Sequence, residues 1–240
     1  IGLAISEVAD DLTGDARTRI VLMITDAEEV WPHRDLCGRD PAAAIEAATS
    51  GRTLLLAAST HPGEETIIAR AHEILAKTVP DLLTIIAPRH PDRAPALQSE
   101  FEAMGLRVSR RSVCGLPPRD TQIYLADTIG ELGTFYALCP VAFIGGSLIE
   151  HGGQNPIEAI RHGALVLTGP STHNFREAYD ALVSFGGVKE IKSAEDIAAI
   201  TALLLADKVA AQKMQSGAEA GLATLSGALQ KTLDALLPYI

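Results

Sequence analysis

Four short stretches of this sequence gather the residue types that bind or move charge. Ser59-Thr60-His61-Pro62-Gly63-Glu64-Glu65 sets two hydroxyls and an imidazole ahead of a helix-like run. Free helix N–H groups and these side chains could together cradle a phosphate or a carboxylate; the same pattern also serves as an N-cap and a turn. Pro88-Arg89-His90-Pro91-Asp92-Arg93 offers a guanidinium on a proline-stiffened loop. Arg89 could grip a phosphate through two parallel hydrogen bonds, and the alternative is a surface loop in which Arg93 pairs with Asp92. Gly145-Gly146-Ser147 followed by His151-Gly152-Gly153-Gln154-Asn155-Pro156-Ile157-Glu158 is the richest stretch. Its glycines admit close approach of backbone N–H groups to an anion. Glu158, one turn into the next helix, could accept from both hydroxyls of a ribose, as the acidic residue of dinucleotide-binding folds does. Asp127-Thr128-Ile129-Gly130-Glu131 reads equally as a cap or a ligand loop, and Gly169-Pro170 with Asn174-Phe175-Arg176-Glu177 forms another strand-end loop.

Several chemistries are excluded or disfavoured. There is no GxxxxGK[ST] phosphate loop and no GxGxxG after the first strand, and Ser147 lacks the closing glycine of a GxSxG elbow. His90 with His61 or His151 lacks the helix-spaced pairing expected of a zinc site. Cys37, Cys114 and Cys139 are odd in number and far apart, which argues against a disulfide framework and for a reducing compartment. Thirty acidic against twenty basic residues give a net charge of −10, which disfavours nucleic acid as a partner. Ten aromatic residues are too few for a base-stacking platform. The longest apolar run, 135–144, is interrupted by Pro140 and falls short of the roughly 20 residues that span a membrane.

The elements that must position these loops follow from periodicity. Short β-rich runs at 18–25, 53–59, 82–87, 107–109, 122–125, 141–144, 165–168 and 188–191 read as strands, and the continuous apolar run at 53–59 as one buried on both faces. Between them, 39–49, 62–77, 95–104, 130–138, 155–162, 175–185, 193–206 and 208–236 read as helices, the last with a weak point near Gly217–Gly221. Gly105 reads as a C-cap and Ser193 with Asp196 as a capping box. Strand–helix alternation predicts an α/β fold: a Rossmann-like open parallel sheet with helices on both faces, its ligand crevice beyond the C-terminal strand ends. Every stretch described above falls at such an end. Residues 1–17 read as a tail or remnant of a preceding half and 18–240 as the sheet domain. The opening IGLAISEV, with neither Met nor a basic signal-peptide start, reads as that of a fragment.

Taken together, AASTHPGEE (57–65), PRHPDR (88–93), DTIGELGTFYALCPVAFIGGSL (127–148), GGQNPIEAI (152–160) and LTGPSTHNFREA (167–178) resemble, in order and spacing over about 50–240, the C-terminal half of bacterial 3-deoxy-D-manno-octulosonic acid (Kdo) transferases. The resemblance implies the C-terminal domain of a GT-B glycosyltransferase that binds the CMP part of CMP-Kdo. Kdo would pass to lipid A precursor in lipopolysaccharide biosynthesis, with inversion and without a metal or other cofactor. By resemblance Arg89 contacts the nucleotide, Gly146 and Ser147 line the phosphate, Asn155 and Glu158 hold the ribose and its surroundings, and Thr60 and His61 lie near the transferred sugar. The acceptor site, the catalytic base and the membrane contact would belong to an absent N-terminal half. This part alone would therefore be soluble and inactive in transfer, its place the cytoplasmic face of the inner membrane. The sequence departs from the family pattern at Met23–Glu28, where a Gly-Asn-Leu-Lys stretch is usual, at Ala159 in place of a second proline, and at Gln154, where histidine is frequent. The alternatives are a GT-B transferase or epimerase using a UDP-sugar, and a non-catalytic nucleotide-binding domain.

Overall fold

A computed structural model describes residues 3–4, 23–24 and 41–225 of the 240. Nine strands and nine α-helices occur among them, with single 3-10 turns at Pro91–Arg93 and His173–Phe175. Strands β1 (Leu3–Ala4) and β2 (Met23–Ile24) make a separate antiparallel pair. The rest of the strand expected at 18–25, and the departures at residues 25–28, lie outside the described residues.

Helix α1 (Pro41–Thr49) leads into β3 (Thr53–Thr60), and then α2 (Glu64–Leu75), β4 (Leu82–Pro88), α3 (Ala94–Ala103), β5 (Val108–Arg110), α4 (Arg111–Cys114) and β6 (Ile123–Leu125). The second half runs α5 (Leu132–Leu138), β7 (Val141–Ile144), α6 (Ile157–Arg161), β8 (Leu165–Thr168), α7 (Arg176–Ser184), β9 (Val188–Glu190), α8 (Ala194–Ala206) and α9 (Lys208–Leu225). The seven long-range strands form one sheet in the order β5-β6-β4-β3-β7-β8-β9, and every pair in it is parallel. The chain builds outward from β3 in one direction and then returns to add β7 on the other side. The boundary between β3 and β7 is thus a topological switch point, where open α/β sheets bind ligands.

The period of two along each strand feeds two cores. Leu55, Ala57, Val141, Phe143 and Leu167 face Ile68, Leu75, Leu97, Phe101 and Ile197 from α2, α3 and α8. Leu54, Leu56, Ala142, Ile144 and Val166 face Ile45, Phe135, Ile160 and Leu182 from α1, α5, α6 and α7. Continuous apolar strands are the consequence of burial on both faces.

Element ends follow local chemistry. Helix α3 closes in a Schellman arrangement: Gly105 N–H donates to Glu102 O and Leu106 N–H to Phe101 O, while Leu106 joins Phe101 in the core. Ser193 Oγ accepts from Asp196 N–H at 3.2 Å, but the Asp196 carboxylate takes the N–H of Lys192, one residue outside the expected box. Gly217 and Gly221 do not weaken α9. It runs through both, because side chains there would collide with Phe185, Gly186 and Leu182 of the α7 segment. Short α4 was not anticipated from the sequence; it is held by Ser112, whose N–H and hydroxyl both donate to Asp127.

One buried polar group sits inside the first core. His72 Nδ1 lies 2.9 Å from Thr84 Oγ1, and burial, reinforced by the Arg52 and Arg107 charges, lowers its pKa to about 4. The unfolded imidazole titrates near its ordinary 6.5, so between these values the unfolded chain holds a proton that the folded one refuses. The stabilising contribution is whole above pH 6.5 and is lost as the pH falls through about 4. Urea unfolding in phosphate-free buffer should show His72→Gln flattening the acid-side loss of stability by about 3 kcal/mol. Parallel profiles for the two proteins would contradict it.

Candidate functional site

The site is assembled where β3, β4, β7 and β8 end. β3 carries a register irregularity between Ala58 and Thr60, and Ser59 adopts a left-handed φ of 54°. Such strained backbone clusters at functional sites, and here it turns the chain so that Thr60 and His61 follow on the crevice side. Gly145 meets this bend directly: its N–H donates to Ala58 O, and a β-carbon there would collide with the Ser59 carbonyl. Gly146 takes φ 69°, and the rings of His61 and His151 lie over the space where its side chain would be.

Beneath those rings lies the polar centre of the site. Glu64 is fully buried, and its carboxylate accepts four backbone N–H groups: His61 at 2.9 Å, Gly146 at 2.7 Å, and Ser147 and Leu148 at 3.0 Å each. Ser147 is equally enclosed; its Oγ donates to Ile144 O and accepts from Gly169 N–H. The N–H groups of Gly146 and Ser147, expected beside a phosphate, are engaged by the Glu64 carboxylate, and the serine hydroxyl is held between Ile144 O and Gly169 N–H. From sequence Glu64 reads only as a residue suited to a helix start; three of its four partners lie more than 80 positions away.

Neighbouring Glu65 is also buried and explains a second difference. It accepts from Thr60 Oγ1 at 3.1 Å and from Arg93 Nη1 at 2.6 Å, so Arg93 pairs with Glu65 and not with Asp92. Thr60 is thereby committed to the scaffold. The adjacent Arg89 uses its backbone N–H to hold Thr60 O, while its exposed side chain lines a cavity of about 200 Å³. Ser59, Thr128, Gly130, Leu132 and Phe135 form part of the wall. The β6–α5 loop at this cavity is fixed by Arg111, which makes paired hydrogen bonds to Glu131 and is kept protonated by them.

Three imidazoles rim the crevice from three loops. His61 stacks on His151 with centroids 3.9 Å apart and meets His90 edge-on at 6.2 Å. Its Nε2 lies 3.1 Å from the Nε2 of Gln154, the residue that departs from the family pattern. Burial, then the neighbouring His151 and His90, lower the His61 pKa. No group of three or more His, Cys, Asp or Glu among the described residues is placed to hold a metal.

The glycine loop is buttressed from the β8 side. Ser171 Oγ accepts from Gly152 N–H, Asn174 Nδ2 donates to His151 O, and Tyr179 OH donates to Gln154 O. Asn155 Oδ1 accepts from Ile157 N–H and so opens α6. That helix presents Glu158, which is exposed, beside His162 and the open face of Gly133. Cys114 is exposed and Cys139 buried, both as free thiols.

Comparison with known proteins supplies the lineage. No family model matches the chain. A 3-deoxy-D-manno-octulosonic acid transferase of Haemophilus influenzae is 38% identical over 190 residues, which are 79% of this chain and 44% of that protein. The enzyme of the same name from Bordetella pertussis is 36% identical over 198 residues, 81% of this chain and 46% of the relative. The chain thus spans less than half the length of these curated relatives. Among solved structures, the C-terminal CMP-Kdo binding domain of WaaA from Acinetobacter baumannii superposes with a TM-score of 0.72 at 32% identity, covering 75% of this chain and 95% of that domain. On this agreement of fold, coverage and sequence, the chain belongs to the 3-deoxy-D-manno-octulosonic acid transferases and corresponds to their C-terminal, GT-B-type Rossmann-like domain.

Proposed function

We propose that this domain binds the CMP portion of CMP-Kdo in the crevice above β3 and β7, as the donor side of a Kdo transferase that acts on lipid A precursor. The observation that carries this reading is the division of labour around the switch point. Glu64 fills the inner backbone cradle, leaving the Arg89 guanidinium and the three imidazoles at the rim, with Glu158 exposed on α6 beside Gly133. A nucleotide monophosphate joined to an acidic sugar presents one phosphodiester and one carboxylate, which suits such a rim. Glu158 accepts from the ribose hydroxyls, and Asn155 sets the helix that carries it. Thr60 and His61 border the sugar, Thr60 through the backbone bend it anchors.

In the reaction Kdo departs through an oxocarbenium-like state while negative charge gathers on the leaving CMP phosphate. Arg89 stabilises that charge from a preorganised loop. The base that activates the acceptor hydroxyl comes from the half of the protein outside this chain, as do the acceptor site and the membrane contact. The described residues include no helix long and apolar enough to cross a membrane. We place the assembled enzyme at the cytoplasmic face of the bacterial inner membrane.

Calorimetric titration with CMP, with UMP as control, tests the assignment. Saturable binding of CMP at least tenfold tighter than UMP is expected. Equal affinity would shift the reading to a uridine nucleotide, and no binding of either would remove it. Turnover of CMP-Kdo onto lipid A precursor by this chain alone would contradict the assignment of the base to the other half.

A further inference from the structure

A second polar cavity lies at the other end of the sheet. Its walls come from residues just ahead of β3, β4, β5 and β6, so it opens beyond the N-terminal strand ends and away from the crevice. It measures about 150 Å³ and is lined by Arg52, Arg107, Arg119 and His72, with Asp81 and Asp120. Cavities that hold drug-sized ligands run about 300–1,000 Å³, so this one suits a single small group.

The arginines have a structural share in this arrangement. Arg52 donates through Nε to Asp81 O and through Nη2 to Leu82 O and Thr121 O; Arg107 Nε donates to Asp120 O, and Arg119 Nη1 to Ser50 O. Those bonds tie strand starts together. They leave Nη1 of Arg52, both Nη atoms of Arg107 and Nη2 of Arg119 without a hydrogen-bond partner among the described residues. The carboxylates balance the charge only in part. Asp120 approaches Arg107 at 3.8 Å, and neither Arg52 nor Arg119 has a carboxylate within ion-pair distance among the described residues. Burial, then the Arg119 charge, lower the pKa of Arg52, with Asp81 opposing.

An independent sign comes from His72. It is 1% exposed, its Nδ1 is engaged by Thr84, and its Nε2 is buried with no hydrogen-bond partner. Buried polar atoms are nearly always satisfied, so an orphan in a polar cavity wall marks a place for a partner that the polypeptide does not supply. Three guanidiniums with spare donors line the same cavity as His72 and specify the partner's charge.

We propose that this cavity is a binding site for a phosphate group, held by Arg52, Arg107 and Arg119 with His72 Nε2–H as the inner donor. The phosphate could be delivered free or as the headgroup of an anionic lipid, and the chemistry of recognition is the same. The assignment does not depend on the donor reading of the crevice.

The test is titration of the full chain with inorganic phosphate, compared with an Arg107→Gln/Arg119→Gln double variant and with Arg89→Ala. Arg107 and Arg119 are both exposed, so the double variant should fold. Saturable binding that weakens at least tenfold in the double variant and persists in Arg89→Ala is expected. The His72 Nε2 resonance should also shift on phosphate addition. Flotation with vesicles containing phosphatidic acid separates the sources. Co-flotation lost in the double variant assigns a lipid headgroup, and phosphate saturation without co-flotation assigns soluble phosphate. The proposal falls if neither probe binds, if the double variant binds as well as the parent, if Arg89→Ala abolishes binding, or if the His72 resonance stays fixed.

Discussion

Replacing Glu64 by alanine should destabilise the domain by about 4 kcal/mol or more, the largest effect expected of any single side chain in the crevice. The carboxylate holds four N–H donors from two loops, three of these bonds buried and the one to Leu148 partly so. Each buried donor left unmade costs about 1–3 kcal/mol, with some relief from local relaxation. The tight contact of Gly145 with Ser59 leaves little room for that relaxation. Glu64→Gln should recover only part of the loss, because its amide nitrogen would point a donor at donors. Glu64→Asp should fare little better, since the shorter chain cannot span from α2 to Leu148. Urea denaturation of the three variants measures this directly, and a loss below about 1 kcal/mol for Glu64→Ala would show that the loops hold without the carboxylate.

This arrangement bears on how the family uses its glycine-rich loop. In many Rossmann-like folds the loop's N–H groups face a ligand phosphate. Here an internal carboxylate occupies that position, and the loop becomes a rigid platform for His61 and His151. Of the two arginines in the loop after β4, Arg93 is engaged by Glu65, while the Arg89 side chain is exposed and shows no hydrogen bond or ion pair to another described residue.

The parts of this structure that are legible in the sequence are those set by local pattern. The inner strands β3, β4, β7 and β8 stand out as apolar runs because both faces are covered, and the crevice follows from the alternation of strands and helices. Gly105 and Ser193 announce helix ends through chemistry confined to a few residues. The inner wiring is not legible, since it depends on partners distant in sequence. Glu64 looks like any acidic residue in a first helical turn until Gly146 is folded onto it, and Arg93 looks like a partner of Asp92 until α2 brings Glu65 near. The glycines of α9 read as weaknesses because sequence does not show that α7 lies against them. His72 reads as one more residue on a mostly apolar helix face, and its orphan nitrogen exists only once β4 and the Arg52 loop enclose it.

Arg89→Ala and Glu158→Ala should each weaken CMP binding by about 1.5–3 kcal/mol, or roughly ten- to a hundredfold, while leaving stability nearly unchanged. Both residues are exposed, and neither side chain shows a hydrogen bond or ion pair to another described residue. Removing them therefore orphans nothing in the free domain, in contrast to Glu64. Arg89 sits in the loop after β4 and Glu158 in the first turn of α6, each near α5. Arg89 lines the cavity walled by Leu132 and Phe135, and Glu158 lies beside Gly133 on the same helix. A nucleotide lying across the start of α5 would place its phosphate toward the first and its ribose toward the second. The two losses should then add to within about 0.5 kcal/mol in the double variant, as they do for groups without shared contacts. Salt should separate them further, since the Arg89 contribution is an exposed charge–phosphate attraction that screening reduces. Calorimetry with CMP and with cytidine completes the argument. Arg89→Ala should matter little for the uncharged nucleoside, while Glu158→Ala should cost the same for both. Equal sensitivity of cytidine and CMP to Arg89→Ala would take that guanidinium away from the phosphate, and full affinity in Glu158→Ala would take the carboxylate away from the ribose.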